Sequence, residues 1–385
     1  MTLHFESGEY QQRLDRAKAA MAERGLDGML LFAPESHFYL TGYDTFGFAM
    51  FQCMVVSQSG DVQLLTRAPD LRQAQQTSNL KDEQIHIWKE VEGANPCEDL
   101  MILVHQMGLL GKQLGVETKT VGLTAFNGQQ LYAASENKMT LVEASDLVSL
   151  LRRDKSEKEI DYHRKAASLS DDALDAALAI TAPGAYEGDI LAAMQGAVFK
   201  GGGDYAGNEF IIGSGGGALL CRYMSGRRYL DPTDQMTLEW SGAYRRYHAA
   251  MMRTLITGKA NEKQKKMHLA ATEALQACEA AIKPGQPMGN VFDAHARVFD
   301  AHGLHHARLE ACGYGMGAIY NPIWVDFPMF YEGNPLLMAV GNVFFLHMIL
   351  MDSDAGLAMC WGHSVLVTES GVERLSRSRL DLVEL

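Results

Sequence analysis

The sequence lacks the features that mark membrane and secreted proteins. No stretch of its 385 residues approaches the roughly 20 uninterrupted apolar residues that a transmembrane helix needs. The first residues, MTLHFESGEYQQR, are polar and acidic, whereas a secretory signal begins basic and then turns apolar. We therefore expect no membrane partner and a cytoplasmic location.

Paired cysteines and basic clusters are also missing. The six cysteines, at positions 53, 97, 221, 278, 312 and 360, include no CxxC pair. This spacing argues against a zinc knuckle or a disulfide scaffold and is typical of a reducing compartment. The formal net charge is −13 and no basic cluster offsets it, so we expect no nucleic-acid partner.

The glycine-rich stretches lack the residues that bind phosphates. GGGDYAGNEF at 201–210 and GSGGGALL at 213–220 neither end in Gly-Lys-Ser/Thr nor match GxGxxG after a strand. We interpret them as turns at the rim of a cavity, not as a nucleotide site.

The chain is long enough for two hydrophobic cores, and its pattern changes near Leu150. Residues 1–150 alternate between helix and strand patterns, which predicts an α/β domain. A charged linker, LLRRDKSEKEI, follows, and Ser156 with Glu159 forms a capping box that opens a new helix. The predicted elements of this first part are a helix over 9–25 with Gly25 as its C-cap, strands at 28–32, 51–57, 61–66 and 84–88, and a helix over 98–115.

In residues 151–385, helices and strands arrive in blocks, which favours an α+β domain with an antiparallel sheet. Two passages, ITAPGAYEGD at 180–189 and IKPGQPMGNVFD at 282–293, both run from a helix through Pro-Gly into a new helix. Their likeness predicts two related halves. The predicted elements are helices over 156–181, 188–200, 261–282 and 289–302 and long strands at 236–256 and 341–351.

One acidic residue, Glu239, stands in the strand-like segment LEWSGAYRRYHAAMMRT at 238–254. Its residues leave two interpretations open: a buried ion pair with Arg222, Arg245 or Arg246, or a group that performs chemistry. On one regular strand, His248 faces away from Glu239 unless a bulge lies near Ser241-Gly242.

The ordered set of motifs resembles the creatinase, prolidase and methionine-aminopeptidase superfamily. The set comprises ESHFYLTGYDTFGF, PGAYEGDI, KPGQPMGNVFD, MMRTLITG, CGYGMG, GNVFFLHM and SVLVTESGVERLS. Together with the linker, the resemblance covers nearly the whole chain. It implies an α+β fold in which a smaller N-terminal creatinase-like α/β domain, 1–150, precedes a pita-bread catalytic domain, 151–385.

The peptidases of this superfamily hold two metal ions with two aspartates, a histidine and two glutamates. Counted from the Arg253-Thr254 landmark and the later motifs, these positions fall on Glu239, Ala250, Tyr314, His347 and Gly362. Hard divalent cations need several anionic oxygens, and one carboxylate with one imidazole falls far short. We therefore predict no catalytic metal and no cofactor.

Creatinase and the ectoine hydrolases belong to the same superfamily and hydrolyse carbon–nitrogen bonds without a metal. Ectoine hydrolases carry an acidic residue shortly before an RRYH segment, which LEWSGAYRRYH resembles. The resemblance implies a metal-independent hydrolase of a non-peptide C–N bond in a small carboxylated metabolite such as ectoine or creatine. DTFGFAMFQ departs from the ectoine hydrolases, so the substrate stays open, as do a non-catalytic metabolite-binding protein and an Xaa-Pro peptidase.

The candidate catalytic residues follow from these positions. Glu239 would act as nucleophile or general base, and His347, with His363 beside Gly362, would exchange protons near neutral pH. The phenol of Tyr314 would bind a substrate carbonyl or developing charge. Each has a structural alternative: an ion pair, a hydrogen-bonded core histidine, or aromatic packing.

The candidate binding residues start with Arg222, which stands where the superfamily's cavity histidine is expected. Its planar guanidinium suits a carboxylate, and a salt bridge to Glu239 is the alternative. We also expect a homodimer in which the N-terminal domain reaches the partner's site, as in creatinase. The remaining pocket-wall candidates are His248, Trp240, Trp324, Phe46 and Phe48.

Overall fold

A computed structural model describes residues 3–221 and 226–385 of the chain. It divides into two compact units, Met1–Arg152 and Arg153–Leu385. Within the described residues, none of the helices combines the length and the apolar character that crossing a membrane requires.

The first unit is built on a six-stranded mixed sheet with the order β4-β3-β2-β1-β5-β6. The pairs β3–β4, β1–β5 and β5–β6 are parallel, and β1–β2 and β2–β3 are antiparallel. Its elements are α1 Ser7–Glu23, β1 Gly28–Leu31, α2 Pro34–Thr41, β2 Cys53–Ser57, β3 Val62–Arg67, α3 Leu71–Thr77, β4 Ile85–Trp88, α4 Pro96–Gln106, β5 Gln113–Val116, α5 Ala125–Ser135, β6 Thr140–Glu143 and α6 Asp146–Arg153.

The predicted helix over 98–115 is wrong in its second half. Helix α4 ends at Gln106, and Gly108 and Gly111 then adopt positive φ angles of 69° and 75°. The residues that follow form β5 between β1 and β6. Glycine takes this left-handed conformation without steric cost, so the two glycines end the helix and turn the chain into the sheet.

The second unit is built on a nine-stranded sheet in which the order is β11-β10-β12-β13-β9-β8-β7, with β14 on β13 and β15 on β9. All pairs are antiparallel except β9–β15. Its elements are α7 Glu157–Ile180, α8 Glu187–Lys200, β7 Ile211–Ser214, β8 Asp234–Tyr244, β9 Tyr247–Thr257, α9 Glu262–Ala281, α10 Gly289–Ala301, β10 Gly313–Gly315, β11 Asp326–Met329, β12 Val343–Asp352, β13 Leu357–Thr368, β14 Gly371–Arg374 and β15 Val383–Glu384.

The capping box at the start of this unit is confirmed. Ser156 Oγ accepts from the Glu159 N–H at 3.3 Å, and the Glu159 carboxylate accepts from the Ser156 N–H at 2.8 Å. These two bonds satisfy N–H groups at the first turn of α7, where the helix itself offers no acceptors.

The predicted strand over 236–256 is instead a hairpin. Tyr244 of β8 pairs with Tyr247 of β9, and Arg245 and Arg246 make the two-residue turn with φ angles of 50° and 70°. The pairing runs in continuous register from Asp234–Thr257 to the turn, so no bulge lies at Ser241-Gly242. Gly242 has a different role, because a Cβ atom there would overlap the Ala166 carbonyl of α7.

The two halves that the Pro-Gly passages predict are visible in the sheet. One half has α7 and α8 with β7, β8 and β9, and the other has α9 and α10 with β10, β12 and β13. Gly184 and Gly285 lie between the two helices of each half, with φ angles of 82° and 79°.

The halves meet at a short seam between β9 and β13, where the registered pairs are Met252–Gly362 and Met251–His363. Two side-chain hydroxyl groups add hydrogen bonds between β9 and β13 on either side of these pairs. The Cys360 N–H donates to Thr254 Oγ1 at 2.8 Å, and Ser364 Oγ donates to the Ala250 carbonyl at 3.1 Å.

Candidate active site

A single row of paired residues crosses the sheet of the second unit and carries two of the candidate catalytic side chains. Glu239 of β8 pairs with Met252, Met252 pairs with Gly362, and Gly362 pairs with His347 of β12. Directly paired residues of antiparallel strands project to the same face. Glu239 and His347 therefore share one face, which we call the site face.

Three strand spacings separate the two side chains along this row, which corresponds to about 15 Å between their Cα atoms on a flat sheet. Between them stand Met252 and Gly362, and Gly362 has no side chain. Glu239 and His347 thus lie on one face at opposite ends of this row. Glu239 is partly exposed, and His347 is buried, with 7% exposure.

Tyr314 joins His347 on the site face. It pairs with Phe345 on β12, two residues before His347. The three rings form a triangle, with centroids 5.4 Å apart for Tyr314–Phe345, 5.5 Å for Tyr314–His347 and 5.6 Å for Phe345–His347. The structure therefore brings two of the predicted residues, Tyr314 and His347, into direct contact.

Trp324 belongs to this group through a hydrogen bond. Its indole Nε1–H donates to Tyr314 Oη at 2.9 Å, and its backbone N–H donates to Asn208 Oδ1 at 3.1 Å. It is 1% exposed. Trp324 thus contacts a candidate catalytic residue with its polar end.

Trp240 and His363 were expected at the same pocket, and the structure places both on the opposite face, which helices cover. Trp240 Nε1–H donates to the Ser170 carbonyl of α7 at 2.9 Å. His363 Nε2 lies 2.7 Å from a carboxylate oxygen of Glu279 on α9. Adjacent residues of a strand alternate between faces, so His363 cannot share a face with the Gly362 row. Both pocket assignments are therefore corrected.

His248 lies on the site face, contrary to the single-strand expectation, because the hairpin pairs it with Ala243. Its Nε2 accepts from the Gly207 N–H at 2.8 Å, and its Nδ1 lies 3.4 Å from the Gly317 carbonyl. Burial lowers its pKa to about 4. A neutral imidazole that is hydrogen-bonded to backbone at both nitrogens holds loops together, so its assignment to direct substrate binding is corrected.

The last three candidate binding residues are Arg222, Phe46 and Phe48. Arg222 lies outside the described residues. In the first unit, Phe46 is 68% exposed and Phe48 is buried against it, with ring centroids 5.3 Å apart. Their reach toward a partner's site stays a prediction.

The structure also bears on the ion pairs considered for Glu239. Arg245 and Arg246 form the hairpin tip, six and seven residues after Glu239, so about 20 Å of extended strand separates the Cα atoms of Glu239 and Arg245. Arg245 lies over the Tyr162 ring and Arg246 over the Tyr320 ring, at 5.4 and 4.9 Å from the centroids. Both guanidinium groups thus contact aromatic rings near the hairpin tip.

The charges of Glu239 and His347 contribute to the pKa shifts of two buried groups, Cys360 and His295. Burial raises the pKa of the Cys360 thiol well above its ordinary value, and the neighbouring Cys221 and Glu239 add to the rise. Burial lowers the pKa of His295 on α10 to about 3, and the charge of His347 contributes in the same direction. Both thiol and imidazole are therefore neutral near pH 7.

The residues at the superfamily's metal-ligand positions do not fit a two-metal centre. Within residues 3–221 and 226–385, no group of three or more His, Cys, Asp or Glu side chains converges on a possible metal position. At Gly362, a Cβ atom would overlap the Leu346 carbonyl and lie 3.1 Å from the Phe345 ring. The space for a glutamate there is therefore already filled, and we derive no reaction step through a metal.

Family models match both units. The model of metallopeptidase family M24 matches residues 161–369, and that of the creatinase/prolidase N-terminal domain matches residues 13–153. The chain belongs to metallopeptidase family M24. It therefore has the pita-bread fold of that family, preceded by a creatinase-type N-terminal domain, and it belongs to a family of hydrolases.

Known M24 proteins align with this chain over almost its full length. An uncharacterized hydrolase/peptidase of Sinorhizobium fredii is 29% identical, with 99% of this chain and 98% of the relative covered. The ectoine hydrolase of Halomonas elongata is 25% identical, with 98% and 97% covered. The prolidase structure from Thermococcus sibiricus superposes with a TM-score of 0.86 at 19% identity, over 99% of this chain and 100% of that one.

Several residues of the site were missed from the sequence. Phe345 fills the space above Gly362, and alternation along GNVFFLH would have placed it on the face of His347. Gly207 and Asn208 hold His248 and Trp324. No local pattern identifies these two loop residues, because their partners are more than 40 and 100 residues away.

Proposed function

We propose that this M24 chain is a metal-independent hydrolase of a non-peptide C–N bond, of the amidine, guanidine or cyclic amide type, in a small carboxylated metabolite such as ectoine or creatine. The observation that carries the proposal is the residue set on the site face. Glu239 and His347 share one face of the sheet, while Ala250 and Gly362 supply no ligand atoms where the superfamily's peptidases hold metals.

Two routes use these side chains. In the first, Glu239 takes a proton from water, the resulting hydroxide adds to the electrophilic carbon, and His347 gives a proton to the departing nitrogen. In the second, the Glu239 carboxylate itself adds to the carbon, the amine leaves with a proton from His347, and water then hydrolyses the acyl-type intermediate. Either route consumes one water and frees one amine.

Intact mass spectrometry during turnover separates the two routes. A carboxylate nucleophile predicts a transient adduct that raises the protein mass by the retained part of the substrate. A general base predicts an unchanged protein mass throughout. In both routes Tyr314 is suited to bind the oxygen or nitrogen on which negative charge develops.

The test of the proposal is activity toward a defined panel after exhaustive chelation. The panel comprises ectoine, hydroxyectoine, creatine, related amidines and Xaa-Pro dipeptides, and liquid chromatography with mass spectrometry of the products reports hydrolysis. We expect a non-peptide substrate to be turned over without metal. Glu239→Gln should lower kcat by about 10²–10⁴-fold, the usual contribution of a general base or nucleophile.

Glu262→Gln is the matched control, because Glu262 is an exposed carboxylate paired with Lys265 at the start of α9. It should leave kcat unchanged. Activity that disappears on chelation and returns with Mn, Co or Zn would refute metal independence.

One observation favours a second function. The fold is that of a prolidase at a TM-score of 0.86, and prolidases are dipeptidases. An Xaa-Pro peptidase would cleave the dipeptides of the panel and purify with stoichiometric metal. A protein that binds a panel metabolite, as a thermal shift would report, and turns over none of them would instead be a non-catalytic member.

The proposal includes a homodimer in which the exposed Phe46 of one subunit reaches the partner's site. Sedimentation velocity would report the dimer. Phe46→Ala should then raise KM for the substrate without changing the sedimentation coefficient.

A further inference from the structure

The hydrogen bond between Trp324 and Tyr314 has a fixed direction. An indole N–H can only donate, whereas a phenol can both donate and accept. Trp324 Nε1–H therefore donates, and Tyr314 Oη accepts, at 2.9 Å. The hydrogen of Tyr314 must then point to an acceptor other than Trp324.

Trp324 is itself held from two sides. Its backbone N–H donates to Asn208 Oδ1 at 3.1 Å, and a Cβ atom on Gly207 would lie 3.1 Å from the Trp324 Cα. The loop that contains Gly207 and Asn208 is in turn fixed to β9, because the Gly207 N–H donates to His248 Nε2 at 2.8 Å.

These contacts form a continuous chain from the hairpin to the phenol: His248, Gly207, Asn208, Trp324 and Tyr314. Its members come from β9, from the loop before β7, from the segment after β10 and from β10 itself. Of these residues, only Tyr314 lies in the ring triangle with His347.

We propose that Trp324 is a positioning residue that fixes Tyr314 as a hydrogen-bond donor on the site face, and that His248 supports it through the Gly207–Asn208 loop. The catalytic role of this donor rests on the proposed hydrolase function, but the positioning chain itself does not.

Nuclear magnetic resonance tests the chain without any substrate. The protein has four tryptophans, so selective ¹⁵N-indole labelling gives a simple spectrum in which Trp324→Phe identifies the Trp324 signal. Tyr314→Phe removes the acceptor and should move this signal upfield while the other three stay in place. An unmoved Trp324 signal would overturn the proposal even if the enzyme is fully active.

The role of His248 is tested with two substitutions. His248→Gln keeps an acceptor for the Gly207 N–H, whereas His248→Leu does not. We expect the Trp324 indole signal to shift in His248→Leu and to stay close to wild type in His248→Gln. Asn208→Ala, at a partly buried loop position, should shift the signal in the same way and serves if His248→Leu does not fold. Unchanged signals in all of these variants would overturn the supporting role.

Kinetics then tests whether Trp324 acts through Tyr314. Loss of a preorganised donor typically lowers kcat by 10²–10³-fold, so we expect about 100-fold for Tyr314→Phe and about 10-fold for Trp324→Phe, with little change in KM. The double variant should be no slower than Tyr314→Phe alone, because a residue that acts only through Tyr314 has nothing left to position. If the loss of kcat in the double variant equals the product of the two single losses, Trp324 does not act through Tyr314.

Trp88→Phe is the control. The Trp88 indole N–H also donates to a buried acceptor, the Phe51 carbonyl at 3.0 Å, but in the first unit. It should not alter the Trp324 signal or kcat. If no substrate of the panel is hydrolysed, the proposed function fails while the spectral result still decides the positioning chain.

Discussion

Substitution of Gly362 by alanine examines the packing that leaves no room for a metal ligand. The added Cβ atom would overlap the Leu346 carbonyl of β12 and lie 3.1 Å from both His347 Cα and the Phe345 ring. The first neighbour is backbone within the same strand pair, so it can move only if β12 and β13 separate locally. We therefore expect a clear loss of stability.

The magnitude follows from two opposing effects. Inserting a methyl group into a close-packed interior costs about 1–3 kcal/mol. Replacing glycine by alanine also restricts the unfolded chain, which returns roughly 0.5–1 kcal/mol. Because the overlap involves backbone, the upper end of this cost applies, and we expect Gly362→Ala to lower the free energy of unfolding by about 2 kcal/mol net.

Urea unfolding followed by far-UV circular dichroism and by tryptophan fluorescence measures this change. Gly196→Ala is the matched control, since Gly196 lies within α8 and a Cβ atom there meets nothing within 4 Å. It should raise stability by about 0.5–1 kcal/mol. A wild-type midpoint and slope for Gly362→Ala would refute the steric argument. Gly362→Glu, which restores the superfamily's glutamate, should be destabilised at least as much and should bind no metal.

Two further predictions concern the face of the sheet that helices cover. Burial opposes ionisation of Glu279, but hydrogen bonds from His363 and Arg374 outweigh it and lower the pKa of Glu279 to about 2. The ionised carboxylate therefore stabilises the fold above pH 4.5, and this contribution is lost as the pH falls toward 2. We expect Glu279→Gln to lower the free energy of unfolding by about 1–3 kcal/mol at pH 7 and by much less at pH 3, measured in parallel urea titrations. An equal deficit at both pH values would contradict this. Arg253 donates to the Met252 and Gly362 carbonyls and to Ser378 Oγ, at 2.8, 2.6 and 2.5 Å. We therefore expect Arg253→Met to cost about 2–4 kcal/mol in urea unfolding and Arg253→Lys less, because lysine keeps the charge but not the fork of donors. Equal losses in the two variants would contradict a contribution from the charge, and wild-type stability of Arg253→Lys would contradict a contribution from the fork.

The hairpin shows where local sequence patterns stop being informative. Two-residue hairpin turns usually contain Asn-Gly or Asp-Gly, because both central residues need positive φ. Here Arg245 and Arg246 occupy those positions. No turn residue interrupts the alternation, so the sequence predicts one long strand, and the predicted face of His248 is reversed.

The sequence was sufficient for features that depend on local pattern and residue chemistry. The helices of the second unit, the capping box at Ser156, the order of motifs and the fold that they imply all follow from short segments. The shortage of acidic residues at the ligand positions is likewise a matter of composition, because alanine and glycine supply no ligand atoms wherever they lie.

Only the tertiary structure decided which candidates share a face and which partners fix them. A strand's two faces are one residue apart, so the separation of His363 from His347 depends on register across β12 and β13, which residues far apart in the chain set together. The bond from Trp324 to Tyr314 and the closing of Gly362 by Phe345 arise in the same way from packing between elements. The sequence thus determines which chemical groups the site can use, and contacts between residues far apart in the chain determine where those groups lie.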